Sequence, residues 1–455
     1  MSTKRIEVKL SNERLITPSG LSLVGDILNG SDLNSNSNVS SGKRSDSYIP
    51  NSDIFRTYIG NLCQAKSAFE AVKEMIDGDD EFYKMALRIK RDLPSAERLR
   101  QRMDDMGTSM HEANLNTNIS LFRNWNIKPT ALPNGYVSVD VDVTPFDNSK
   151  TKKEGVSRTY KGKDGYAPIV AYIGAEGFCA NIELREGKQH CQKGTPDFLR
   201  ETLKNCKRIT DKSLLVRMDS GNDAAENLGI LLDAGVYFII KRNIRSESKE
   251  NWLDNVKSWC LPENIHSPRE GKTVYIGSTW RDVIYTNSDG ETVTKCMRMG
   301  YEIIERNIDK HGQISLEPDI EVNTYWTNTD FTDYDVIDLY HKHGESEQFH
   351  SEFKSDMDIE RLPSGKFDTN CLVLELAMIA YNILRIMGQV SLTGGTSPKT
   401  KHEVKRRRLR TVIGNLILIA GHVTVHARKA VLALGRSNVW RFAFMDLNKR
   451  FAPNG

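Results

Sequence analysis

The 455 residues hold only seven cysteines, at 63, 179, 191, 206, 260, 296 and 371, and no two form a CxxC pair. Such scatter excludes a disulfide framework and a zinc ribbon, and it fits a reducing cytosol. His190-Cys191 has no second pair near it in the chain, so it does not read as a metal centre. A net charge of only +3 points to no particular partner. The N-terminal MSTKRIEVKLSNERL is charged and lacks the apolar core of a signal peptide. The most apolar run, 411–427, is interrupted by Asn415, Gly421 and His422 and is too short to span a bilayer. The expectation is a soluble, cytoplasmic chain without membrane contact.

What is present is an ordinary globular composition, 38% hydrophobic and 27% charged, over a length that suggests about two to four domains. The charge is unevenly placed. Residues 391–455 carry thirteen Lys and Arg against two acids, a surplus of 11 that leaves the remainder at −8. Asymmetry of this kind points to an acidic polymer as partner.

The pattern divides the chain. Residues 1–130 read as mainly helical, with a low-complexity polar loop at 29–52. Ser95 suits an N-cap and Gly107 a stop for the helix between them. Its Arg98, Arg100 and Arg102 fit either DNA phosphates or an ordinary wet surface. From 131 to 250 the period switches to two and then alternates strand, helix, strand, as in a mixed α/β sheet. Short alternating segments over 251–330, with a turn at Ser288-Asp289-Gly290, predict an antiparallel β insertion. Helices return over 331–390, at about 332–361 and 368–389. Residues 391–455 form a basic C-terminal region.

Three places hold acids that could do chemistry. In YVSVDVDVT, Asp140 and Asp142 share one strand face, which is either a divalent-cation site or a solvated face. In LLVRMDSG, Asp219 ends an apolar strand, where α/β sites gather, but the same position suits a cap. In YHKHGESEQFHSEFKSDMD, a helix at about 100° per residue puts Tyr340, His343, Glu347 and Lys354 within about 60° of one another. Phe349, Phe353 and Met357 form its buried stripe, and Glu345 and Glu352 fall beyond that stripe on the surface.

Tyr340-x2-His343-x3-Glu347-x6-Lys354 resembles the Tyr-x2-Arg-x3-Glu-x6-Lys pattern of DDE-type insertion-sequence transposases, with His343 where the family has Arg. DVDVT resembles the first motif of that family, an Asp-x-Thr, and selects Asp142 over Asp140. RMDSG resembles the second motif. LREGKQH and VNTYWTN are similar to stretches of the same group. The acids follow in the family order at spacings of 77 and 128 residues. The resemblance spans roughly 130 to 390 and is weaker before it.

The resemblance implies an RNase H-like core in which Asp142, Asp219 and Glu347 hold two Mg²⁺ or Mn²⁺ ions and are the catalytic acids. It implies that Tyr340 and Lys354 hold phosphate beside the scissile bond. Neutral imidazole lacks the guanidinium fork, so the departure at His343 puts phosphate contact there in doubt. KTKKEGVSRTYKGK (150–163) and KTKHEVKRRRLR (399–410) are the basic segments expected on DNA, the second through Lys405, Arg406, Arg407 and Arg408. A solvated linker is the alternative for 399–410. Trp280 and Trp326 read either as base-stacking groups or as sheet packing. The implied function is cut-and-paste transposition in a prokaryote, on nucleoid DNA. A homodimer would bind terminal inverted repeats and double-stranded target DNA. A nuclease without strand transfer, and a non-catalytic DNA-binding descendant, are the rival readings.

Overall fold

Valines alternate with polar residues from Val137 to Val143, and in the computed structural model these seven residues form a strand of a nine-stranded mixed sheet. The structure describes residues 6–37, 48–309, 311–427 and 429–452. The chain divides into two compact units. One comprises Met1–Trp125, Asp356–Ile359 and Ile379–Gly455, and the other Asn126–Ser355 and Glu360–Met378. The segments expected as an N-terminal region and a basic C-terminal region thus lie largely in one unit.

That first unit is mainly helical, with a small sheet of Leu15–Ile16, Gly421–His426 and Lys429–Leu434. Ser95 caps the helix Ala96–Met106 by accepting from the Arg98 N–H at 3.2 Å. Of the three arginines on that helix, Arg102 is tied to the Ile49 carbonyl, Tyr48 and Asn51, while Arg98 and Arg100 are exposed. The polar loop expected at 29–52 is partly ordered: Leu33–Ser37 is a short helix with Leu33 buried, and a helix begins at Asn51. Residues 38–47 of that loop lie outside the described residues.

The second unit carries the large sheet. Its strands are β1 (Val137–Val143), β2 (Ile169–Ile173), β3 (Phe178–Glu183), β4 (Leu214–Met218), β5 (Tyr237–Arg242), β6 (Ile265–Arg269), β7 (Lys272–Thr286), β8 (Thr292–Ile308) and β9 (Ile314–Thr327). The order is β6-β7-β8-β9-β5-β4-β1-β2-β3. β1, β4 and β5 are parallel to one another, whereas β2 and β3 run antiparallel as a meander. The parallel pairings need crossovers, which the helices Thr195–Ile209 and Ala225–Asp233 supply. The β insertion expected over 251–330 begins with a helix, Lys249–Trp259, and from Ile265 onward extends this sheet, because β9 pairs antiparallel with β5. Its short alternating pieces fuse into two strands of 15 and 17 residues joined at the expected turn.

The stretch expected as one helix from 332 to 361 is interrupted. Asp333–His341 and Ser346–Ser351 are helical, a tighter turn covers Lys342–Glu345, and a wider π-turn covers Glu352–Asp356. The helix Phe367–Thr393, and not 411–427, is the described segment long and apolar enough to cross a membrane. Its apolar window is 94% buried within the protein, as in a core helix.

Candidate active site

Register brings two acids together. β1 and β4 pair in parallel through Asp140 with Arg217 and Val141 with Met218. The next residue on the first strand is Asp142, and the residue that follows the second strand is Asp219. Both acids stand at the carboxyl ends of neighbouring parallel strands.

The structure separates Asp140 from Asp142. Asp140 is 2% exposed and is neither a solvated acid nor a cation ligand. Arg217 grips it with two bonds of 2.7 Å, and His343 Nδ1 lies 2.8 Å from its Oδ1. A third nitrogen of Arg217 donates to the Leu339 carbonyl at 2.7 Å, tying the helix that bears Tyr340 to the sheet. Burial works to raise the Asp140 carboxyl, but the Arg217 charge and the His343 bond hold it below the usual range.

Asp142 is the acid left at the strand end. Its Oδ1 accepts from the Val143 N–H at 2.7 Å, and its Oδ2 lies 3.2 Å from His350 Nε2. Burial alone would raise this carboxyl, yet the bond to His350 and the charges of His350 and His343 keep it low. Asp219 shows the capping that its position suits. It caps the turn Ser220–Asn222, with Oδ1 accepting from the Gly221 N–H at 3.1 Å and Asn222 Nδ2 at 2.8 Å. Burial, and then the negative charge of Asp142, push its carboxyl up. Two carboxylates that resist ionising together form a hard-oxygen donor pair that a divalent cation would relieve.

Glu347 is exposed in the first turn of Ser346–Ser351. Its relation to the pair shows at Tyr160, whose hydroxyl donates to the Val143 carbonyl at 3.2 Å. Partial desolvation and then the charges of Asp142, Asp219 and Glu347 raise that phenol, although the side chain as a whole is 68% exposed. Among the described residues, however, no three His, Cys, Asp or Glu side chains converge closely enough to hold a metal ion. The Asp142–Asp219 pair supplies hard oxygen donors of the kind that a divalent cation takes.

The remaining expected residues divide. Lys354 Nζ reaches Thr144 Oγ1 at 2.9 Å, so it meets the threonine of the DVT motif, and burial lowers its pKa. The Tyr340 ring packs 4.7 Å from Tyr325, and burial followed by the Asp219 and Asp142 charges raises its phenol. His343 does not face a phosphate site. It is buried and spent on Asp140. Arg407 is likewise a core group, 6% exposed, bonded to Ser391 Oγ at 2.9 Å and stacked 4.9 Å over Trp440. Arg408 is half exposed and holds Asp356 with bonds of 2.8 and 3.1 Å, whereas Lys405 is exposed and Arg406 partly so. Trp326 is packed, donating to Asp223 Oδ1 at 3.0 Å, while Trp280 is 64% exposed.

Sequence reasoning missed two groups. A cleft of about 480 Å³ opens beside Asp219, walled by Arg158, Tyr160, Lys188, His190 and Cys191. Arg158 and Tyr160 come from the basic stretch 150–163, and the LREGKQH motif supplies the other wall, so both signals were visible without their juxtaposition. His350 stands three residues, nearly one turn, beyond Glu347 and was passed over as one histidine of a charged helix.

The family model "Transposase DDE domain group 1" matches residues 2–454. No curated protein matches the chain. Among the solved structures that the chain is similar to is the piggyBac transposase synaptic complex with hairpin DNA, at 11% identity and a TM-score of 0.38, over 97% of this chain and 83% of that one.

Proposed function

The chain belongs to the DDE transposase family, and from that premise we propose that it cuts and joins the ends of an insertion sequence with Asp142, Asp219 and Glu347 as its catalytic acids. The observation that carries this reading is the Asp142–Asp219 pair at the ends of adjacent parallel strands, with Asp219 raised by burial and then by its neighbour's charge. An RNase H-like core is supported by the order β5-β4-β1-β2-β3 with β2 antiparallel to β1. DDE transposases use divalent metal ions. Two Mg²⁺ or Mn²⁺ ions held by these acids would acidify the attacking water or 3′-hydroxyl and stabilise the leaving oxygen.

The chain's own residues then have separate tasks. Asp142 and Asp219 present oxygen lone pairs at one point, and Glu347 adds negative charge from the neighbouring helix. Tyr340 and Lys354 border this point, and Lys354 suits a phosphate as a point charge. Arg158 and Lys188 of the adjoining cleft are the cations that take over the contact His343 has given up. Double-stranded DNA is the partner, as terminal inverted repeats and target, with a homodimer bridging the two ends in the prokaryotic cytoplasm. Lys405 and Arg406 add non-specific phosphate contact.

Two outcomes test this reading. Incubation with an end-bearing duplex, target plasmid and Mg²⁺ should give joined products. Cleavage without joining would favour the simple nuclease. Among the basic residues, Lys405→Ala should reduce the salt slope of DNA binding by about 1. Arg407→Ala should leave the slope unchanged and lower stability by about 2–3 kcal/mol, through loss of its buried bonds and ring contact. A thermal melt and a salt titration read the two effects apart.

A further inference from the structure

We infer that His350, held by Tyr172, is a positioning residue that fixes the Asp142 carboxylate for its cation. The inference rests on the metal-binding reading of Asp142 given above. His350 is 1% exposed and touches two functional atoms at once. Its Nε2 lies 3.2 Å from Asp142 Oδ2, and its Nδ1 lies 3.1 Å from the Tyr172 hydroxyl. Tyr172 is itself buried on β2, the strand paired with β1, and its ring packs 5.1 Å from Phe349. The clamp is therefore built from the sheet and from the helix that bears Glu347.

The chemistry fixes the direction of each bond. An ionised carboxylate only accepts, so Nε2 carries the proton that faces Asp142. In the neutral ring Nδ1 is then an acceptor, and the Tyr172 hydroxyl donates to it. Tyr172 thus sets the tautomer, and the tautomer sets the bond to Asp142. The Val143 N–H holds the other oxygen at 2.7 Å. With both oxygens tethered, the carboxylate is held from turning about its bond, and its remaining lone pairs keep one orientation. Hydrogen bonds to a ligating carboxylate typically alter metal affinity about 10–100-fold.

The test is Mn²⁺ binding to the full chain, read from the electron paramagnetic resonance signal of the free ion, with no DNA and no turnover. His350→Ala should weaken Mn²⁺ binding by about 10–100-fold. His350→Gln, whose amide N–H can stand near the lost Nε2, should recover part of that loss. Tyr172→Phe, which removes one hydroxyl, should weaken binding in the same direction by a smaller factor. Circular dichroism establishes that each variant is folded. A folded His350→Ala variant that binds Mn²⁺ as the wild type does would overturn the inference. So would a folded His350→Gln variant as weak as His350→Ala together with a silent Tyr172→Phe, since the ring would then act by packing alone. Asp142→Asn separates the two claims. It should abolish binding, and if it does not, the metal reading of Asp142 fails and the positioning role falls with it.

Discussion

Asp140→Asn is expected to lower the stability of the unit bearing the large sheet by about 3–5 kcal/mol, the usual result of breaking a buried ion pair from one side. The asparagine would leave Arg217, 3% exposed, with its charge uncompensated and would weaken the bond to His343. For a unit of this size the melting temperature should fall by roughly 6–20 °C. Asp142→Asn, two residues away, should shift it far less, because that carboxylate stands at a partly open strand end. A double replacement, Asp140→Leu with Arg217→Met, should be milder than Asp140→Asn alone, since a buried pair replaced by apolar groups often costs little. Equal melting temperatures for wild type and Asp140→Asn would mean that the triad of Asp140, Arg217 and His343 does not bind the helix before Tyr340 to the sheet.

Alanine at Asp142, Asp219 or Glu347 should each reduce strand cleavage by about 10³-fold or more while DNA affinity stays within about threefold. Charge stabilisation by bound metal supplies several kcal/mol of barrier lowering, and about 4 kcal/mol is a factor near 10³. DNA affinity comes mostly from phosphate contacts spread over many cations, so removing one acid alters it little. Glu345→Ala serves as a comparison on the same helical stretch. Single-turnover cleavage and a mobility-shift titration read the two quantities. If Glu345→Ala abolished cleavage and Glu347→Ala did not, the third acid would be misassigned.

Local periodicity made part of this molecule legible. The period of two over Val137–Val143 located the central strand, and the apolar run into Asp219 located its parallel neighbour. The buried stripe Phe349, Phe353 and Met357 was also readable, as all three are at most 1% exposed. What escaped depends on contacts between distant residues. Periodicity puts Asp140 and Asp142 on one strand face, and it takes Arg217, on another strand, to bury the first of them. His343 bonds an acid 203 residues away, which no spacing rule on its own helix predicts. Glu352, expected on the surface, is 2% exposed at the start of the π-turn Glu352–Asp356. Arg407 sat in the densest basic run, yet Ser391 and Trp440 draw it inside.

The most direct test of the central claim is single-turnover cleavage of an end-labelled duplex carrying the element's end, by the wild-type chain, with Mg²⁺ and with EDTA. Cleavage at the element boundary that requires the metal is the predicted result. DNA bound but uncut under both Mg²⁺ and Mn²⁺ would contradict it and leave a DNA-binding protein in which the paired acids do no chemistry.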